Sequence, residues 1–303
     1  MSVLSNRLVA DAVARSFGAL VDPTPKPTVR FPEIPGNTTT IAIPTRYGPT
    51  DATVYWPSPR TRRAAVYVNV HGGGFVVGHR DQDDPWCRYL AAHAGVVVVN
   101  TDYVLAPRHR FPAPVDQLHD VLCWAASTDR DWDGTRLCVG GQSAGGNLAA
   151  AVSRVAWNTG GPAIRLQVLH YAPLDLVTAT KDKPSPRKHA AVMKPWMGAV
   201  FDTAYIPDAM RRRDPLASPA WGVNGDGLAG ITPALITTAE FDRLRGEAAA
   251  YARKLEAVGA LAEYQEVEGL DHGYNIMSDA PQAGDATRRV YGLISDHVVR
   301  ATS

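Results

Sequence analysis

Hydrophobic positions recur along this chain in two rhythms. From Leu4 to Leu20 the apolar residues Leu4, Leu8, Val9, Ala12, Val13 and Phe17 fall on one helical face, so the chain opens with an amphipathic helix. Pro23, Pro25, Pro27, Pro32 and Pro35 then forbid regular helix or a central strand, which makes "VDPTPKPTVRFPEIPG" an irregular connection. After it come short β-rich runs: "TTTIAI" (38–43), "ATVYW" (52–56), "AAVYVNV" (64–70), "VVVVNTD" (96–102), "RLCVGG" (136–141), "RLQVLHY" (165–171), "PALITTA" (233–239) and "AEYQEV" (262–267). From the third run onward, helical stretches near 83–94, 113–126, 145–158, 244–258 and 282–300 separate them. This alternation predicts βαβ units and an α/β fold with an eight-stranded, mostly parallel sheet flanked by helices. The first two runs, joined by "PTRYGPT", read as a hairpin on the sheet edge.

Residues 178–216 break the alternation. They hold no strand pattern, but Met193, Met197, Val200, Phe201 and Tyr205 recur at helical spacing. A helical insertion that follows a sheet strand lies over the carboxyl edge of the strands, where open α/β sheets bind ligands.

Composition narrows the function. With 303 residues and 45% hydrophobic content the chain fits one large α/β domain. Lys plus Arg number 31 against 30 Asp plus Glu, a formal charge of +1, so nothing steers the protein globally toward nucleic acid or an anionic membrane and the expected partner is a small molecule. Arg7, Asp11 and Arg15 interrupt what would be the apolar core of a signal peptide, and no later run has the length for stable membrane insertion; the expected location is cytoplasmic. Cys87, Cys123 and Cys138 have no paired spacing, which argues against a disulfide framework or a zinc site and reads each as a small buried hydrophobe.

The chemistry concentrates at "LCVGGQSAGGNLAAAV" (137–152), where a strand, the turn Gly141-Gln142-Ser143-Ala144-Gly145 and a helix follow in order. This is G-x-S-x-G in the context it requires: a sharp strand-to-helix turn strains the serine, projects its hydroxyl from the sheet, and leaves no room for side chains two residues to either side. The helix also aims its first N–H groups and positive dipole end at that spot. A bare glycine-rich turn is the plain alternative, and the order of elements weighs against it; neither this segment nor "HGGGFVVG" satisfies a nucleotide-binding glycine pattern.

A serine nucleophile needs a base and oriented donors. The donors are read in "NVHGGGF", Asn69 to Phe75, with Gly73, Gly74 and the N–H of Ala144 as the oxyanion hole. Four histidines follow Ser143. His170 lies in a predicted strand, His189 in the insertion and His297 on the last helix, whereas His272 follows the last strand in the loop "EGLDHGYN", where a base belongs. The acid should follow the penultimate strand, which leaves Glu240 and Asp242; spacing does not separate them, though Asp242 lies further into the loop. Its role is to fix the histidine tautomer and stabilise the imidazolium. His71 reads as a brace for the glycine loop, Asp271 as a turn residue, and Arg211, Arg212 and Arg213 as solvated surface.

These residues resemble the α/β-hydrolase fold and, within it, the hormone-sensitive-lipase-like family of bacterial carboxylesterases. The resemblance covers almost the whole chain and rests on "HGGGF" (71–75), "DYVLAP" (102–107), "FPAPVDQ" (111–117), "GQSAGGNLAA" (141–150), "DPLASP" (214–219), "AEFDRLRGEAAAYARKL" (239–255) and "HGY" (272–274) in family order. It implies Ser143 as nucleophile, Asp242 as acid and His272 as base, with Gly73, Gly74 and Ala144 on the oxyanion. It also implies a helical cap from residues 1–35 and the insertion 178–216, over a core of 36–177 and 217–303. The chain departs from the pattern at Gln142, where "GDSAGG" has aspartate, and at Val104 and Arg108, where "YRLAPE" has arginine and glutamate. Gln142 is expected to shift the pH dependence by removing a negative charge near the nucleophile.

The expected reaction is hydrolysis of short to medium acyl-chain esters through an acyl-enzyme, with no metal or organic cofactor. Phe75, Met193, Trp196, Met197 and Phe201 are expected to line the substrate pocket, although each could equally belong to the cap's own core. Amide or lactone hydrolysis by the same triad is one alternative. A non-catalytic ligand receptor is another, disfavoured because such relatives typically lose the catalytic histidine and His272 is present. Relatives often dimerise through the last strand, which makes "AEYQEV" a candidate homodimer interface.

Overall fold

The computed structural model of the protein describes residues 3–20, 27–60, 63–187 and 191–303; Pro23, Pro25 and His189 lie outside the described residues. In chain order the elements are α1 (Arg7–Leu20), β1 (Thr38–Ile43), β2 (Thr50–Tyr55), β3 (Ala65–Val70), α2 (Asp84–Ala94), β4 (Val97–Thr101), α3 (Ala113–Ala125), β5 (Asp133–Gln142), α4 (Ala144–Thr159), β6 (Ile164–His170), α5 (Pro195–Tyr205), β7 (Ala234–Ala239), α6 (Arg245–Glu256), β8 (Leu261–Val267), α7 (Tyr274–Met277) and α8 (Ala283–Thr302). The strands form one eight-stranded sheet in the order β1-β2-β4-β3-β5-β6-β7-β8. β2 is antiparallel to both neighbours, and every other pairing is parallel. This is the α/β-hydrolase fold, and the first two strands form the expected hairpin on its edge.

A parallel sheet must be covered on both faces, and strand alternation divides the core accordingly. Val66, Val68 and Val70 of β3 join Val97 and Val99 of β4 and the apolar sides of α3, α4, α5 and α6. Tyr67 of β3 and Val98 of β4 point the other way, toward Trp86 and Leu90 of α2 and Val290 and Ile294 of α8. A fully buried Leu or Val contributes roughly 1.5–3 kcal/mol relative to exposure, so these two layers rather than local propensity hold the helices.

Cys87 and Cys138 are buried in this core, but Cys123 is exposed, which corrects the reading of all three as buried hydrophobes. Within α3, Val121 and Leu122 face the sheet, and Cys123 turns outward beside His119 one helical turn earlier (Sγ to Nε2, 3.9 Å).

The interruption between β6 and β7 holds no strand among its described residues. Its helix starts only at Pro195, later than the apolar spacing suggests, because proline is pre-set for the first helical position; Met193 therefore sits in the approach to α5. This helix packs against α1, where Phe17 meets Trp196 and Phe201 edge-on with centroids 6.2 and 5.6 Å away. Arg110 Nη2 ties α1 to the body by donating to Asp11 Oδ2 at 2.6 Å. Among the described residues no helix is long and apolar enough to cross a membrane.

Candidate active site

Ser143 stands between the end of β5 and the start of α4 with φ +53° and ψ −124°, a region costly for a residue with a Cβ. Its N–H donates to His170 O at 2.9 Å, which fixes the turn against β6. The neighbouring glycines are demanded by close approach: a Cβ on Gly141 would fall 2.2 Å from Val70 O, and one on Gly145 2.0 Å from it.

The loop after β8 brings His272 to this hydroxyl. His272 Nε2 lies 2.9 Å from Ser143 Oγ, and Nδ1 lies 2.8 Å from Asp242 Oδ2. Asp242 is fully buried, and its other oxygen accepts the Leu244 N–H at 2.9 Å. Glu240 is engaged elsewhere, with Oε2 accepting the Gly269 N–H at 2.7 Å; the structure thereby separates the two acids that spacing leaves open. Asp271 braces the loop: Oδ1 accepts the His272 N–H (2.7 Å) and Oδ2 the Val192 N–H of the insertion (3.0 Å).

His170, His297 and His71 are held in structural contacts. His170 Nε2 lies 3.0 Å from the Tyr274 hydroxyl, and burial pushes its imidazole down to about 3, so it stays neutral. His297 Nε2 lies 2.9 Å from Glu263 Oε2 on β8. His71 braces the glycine loop, with Nδ1 2.7 Å from Gly72 O and its ring stacked on Tyr103; burial lowers its pKa as well. Arg212 is less free than a solvated residue, donating to Ile206 O and Thr203 Oγ1, while Arg211 and Arg213 lie over Phe111 and Trp221.

In the glycine loop, Gly73 and Gly74 take φ +123° and +60°, and a Cβ at Gly73 would strike Val77 O. No described residue accepts a hydrogen bond from the N–H of Gly73, Gly74 or Ala144. Gly73 and Gly74 border a cavity of about 190 Å³ that is also lined by Ser143, His272, Gly72 and Phe75. Met193, Met197 and Phe201 also line it. Trp196 does not: it is 40% exposed and edge-on to Phe17, because on α5 it lies one residue, or 100°, away from the row of Met197 and Phe201.

The sequence reading missed several lining residues. Phe17 carries a signal, the apolar face of α1; Asp202 carries another, as the lone charge in the helix "PWMGAVFDTAY". Lys183 and Tyr171, also lining, carry none.

Gln142 is no simple gap in the charge pattern. Its Nε2 donates to Asp83 Oδ1, and its Oε1 accepts from the Tyr171 hydroxyl (2.6 Å) and Asn275 Nδ2 (2.9 Å). Asn69 Nδ2 donates to the other Asp83 oxygen at 2.8 Å. Burial pushes the Asp83 carboxyl up to about 7, against the lowering effect of its amide donors. A carboxyl therefore does lie behind Ser143, supplied by residue 83. Among the described residues no group of three or more His, Cys, Asp or Glu is placed to hold a metal ion.

A family model described as the alpha/beta hydrolase fold matches residues 67–276. Carboxylesterase NlhH of Mycobacterium tuberculosis is 35% identical over 243 residues, 78% of this chain and 75% of that protein. Esterase LipI of the same organism is 34% identical over 264 residues, 86% and 81% of the two chains. Among solved structures, an esterase of Pyrobaculum calidifontis superimposes with a TM-score of 0.80 at 31% identity, covering 100% of this chain and 95% of that one.

Proposed function

Because the chain belongs to the α/β-hydrolase family, in its hormone-sensitive-lipase-like branch, and is a carboxylic ester hydrolase, we propose that Ser143 is its nucleophile, His272 its base and Asp242 the acid that holds the base. The observation that carries the assignment is the unbroken chain Ser143 Oγ, His272 Nε2, His272 Nδ1, Asp242 Oδ2, at 2.9 and 2.8 Å. Ser143 Oγ attacks the ester carbonyl as His272 takes its proton, and the imidazolium then protonates the leaving alcohol. Water cleaves the acyl-enzyme by the same steps. The carbonyl oxygen gathers negative charge in each tetrahedral intermediate, and the free N–H groups of Gly73, Gly74 and Ala144 stabilise it.

Residues 1–35 and 178–216 act as a cap over the core of 36–177 and 217–303. The cap supplies Phe17, Met193, Met197 and Phe201 to the cavity. At about 190 Å³ that space is below the roughly 300–1,000 Å³ of pockets for drug-sized ligands, which supports short to medium chains. Two copies pair through β8, an exposed edge of the sheet; a monomer in gel filtration at working concentration would reject this pairing.

The first test is kcat/KM on p-nitrophenyl esters from acetate to palmitate, with Ser143→Ala alongside. Activity should peak at short to medium chains and fall by about 10⁴-fold or more in the variant. Wild-type turnover that survives Ser143→Ala would reject the assignment.

A further inference from the structure

One wall of the substrate cavity is polar, and the esterase mechanism leaves that wall without a task. Lys183 lines the cavity while 6% exposed; its Nζ lies 2.5 Å from Glu247 Oε2 and donates to Asp175 O at 2.7 Å. Two of the three ammonium protons are thereby occupied. Asp202 of α5 lines the same cavity while 8% exposed. Among the described residues its carboxylate receives no hydrogen bond and forms no ion pair; Lys183 and Arg212 act on it only through space. Burial pushes this carboxyl up to about 6, with those two cations opposing the rise.

Buried charged groups are ordinarily satisfied, because a desolvated carboxylate without donors is costly. A helix otherwise built of apolar and small side chains would pack without a charge at position 202. The cavity thus presents an open acceptor, Asp202, and an open donor, the third Lys183 proton, that do not pair with each other. A plain hydrocarbon chain would leave Asp202 dry. An ammonium group on the substrate would meet Lys183, and a carboxylate would meet Asp202; a hydroxyl both donates and accepts, and suits the two together.

We propose that Lys183 and Asp202 form a polar subsite and that the preferred substrate is an ester with a hydroxyl on the chain that reaches it, the hydroxyl donating to Asp202 and accepting from Lys183. The proposal rests on the esterase reading above.

The test is kcat/KM on matched pairs: p-nitrophenyl hexanoate against 6-hydroxyhexanoate, octanoate against 8-hydroxyoctanoate, and hexyl acetate against 6-hydroxyhexyl acetate. The first two pairs probe the acyl side and the third the alcohol side. Wild type should prefer the hydroxylated member of at least one pair. In Asp202→Leu the ratio should swing toward the plain member by about tenfold or more, and in Asp202→Asn by a few-fold. If Asp202→Leu fails to fold, the near-isosteric Asp202→Asn carries the comparison. Preference for the plain member in every wild-type pair, or a ratio that neither variant moves, overturns the subsite while leaving the esterase standing. Absence of any Ser143-dependent ester turnover overturns both.

Discussion

The two sides of the cavity are held by different forces. On the core side the polar side chains around Ser143 are tied to one another: His272 to Asp242, Gln142 to Asp83 and Tyr171, Asn275 to Gln142. On the other side Phe17, Met193, Met197 and Phe201 present apolar surface, beside polar ties to the body that include Asp11 to Arg110, Val192 to Asp271 and Lys183 to Glu247. Directional bonds fix atoms to tenths of an ångström, as proton transfer requires. Dispersion contacts constrain volume and tolerate rearrangement. Geometry for the reaction and shape for the substrate are thus assigned to separate regions, and substitutions should separate rate from selectivity.

The largest effect is expected from Asp242→Asn, which leaves the shape intact but favours the wrong histidine tautomer. A loss of about 10⁴-fold in kcat should leave the acyl-length optimum where it was, as residual rates across the ester series would check. On the apolar side, Phe201→Ala should do the reverse. It removes the ring that rests on Gly74 and should move the optimum toward longer chains, with rates changing by roughly tenfold and the pH profile unmoved. A shifted pH profile in that variant would break the separation.

Smaller effects test the network behind Ser143. Gln142→Asp places a second carboxylate against Asp83, so one proton is shared and net negative charge near His272 increases at mildly acidic pH. The acidic limb of kcat/KM should then rise by roughly one pH unit or less; an unmoved limb would show that residue 142 does not influence the base. Asp83 itself carries a linkage signature. Its folded value of about 7 lies above the ordinary unfolded value of about 3.9, so the folded state binds the proton more tightly. Its stabilising contribution is complete below about pH 4 and is lost as pH rises through about 7. Melting temperatures of wild type and Asp83→Asn, compared from pH 4 to 8, should converge toward the acid end and favour the variant at the alkaline end.

Much of this was legible in the sequence because it is local. The strand runs, the five main helices, the serine turn and the glycine loop each depend on neighbours within a dozen residues, and Ser143 and His272 stood out as candidates in the loops that hold them. Glu240 and Asp242 could not be separated locally, since what distinguishes them is Gly269, whose N–H engages one acid and leaves the other for His272. Trp196 was misplaced because one step along a helix decides between cavity and solvent. Cys123 was misread for the same reason. Lys183 was invisible because its partner Glu247 is far along the chain, and the role of Gln142 because Asp83 lies on the approach to α2, a stretch without catalytic pattern.

The backbone at Ser143 has a consequence for how such a chain can evolve. A residue with a Cβ held at φ +53° and ψ −124° stores strain of order 1–3 kcal/mol, which glycine would largely relieve. The protein would gain stability by giving up the hydroxyl at this turn. If Ser143 is the nucleophile proposed above, drift toward greater robustness and drift toward inactivity point the same way at this position, and the hydroxyl endures only while its reaction is under selection.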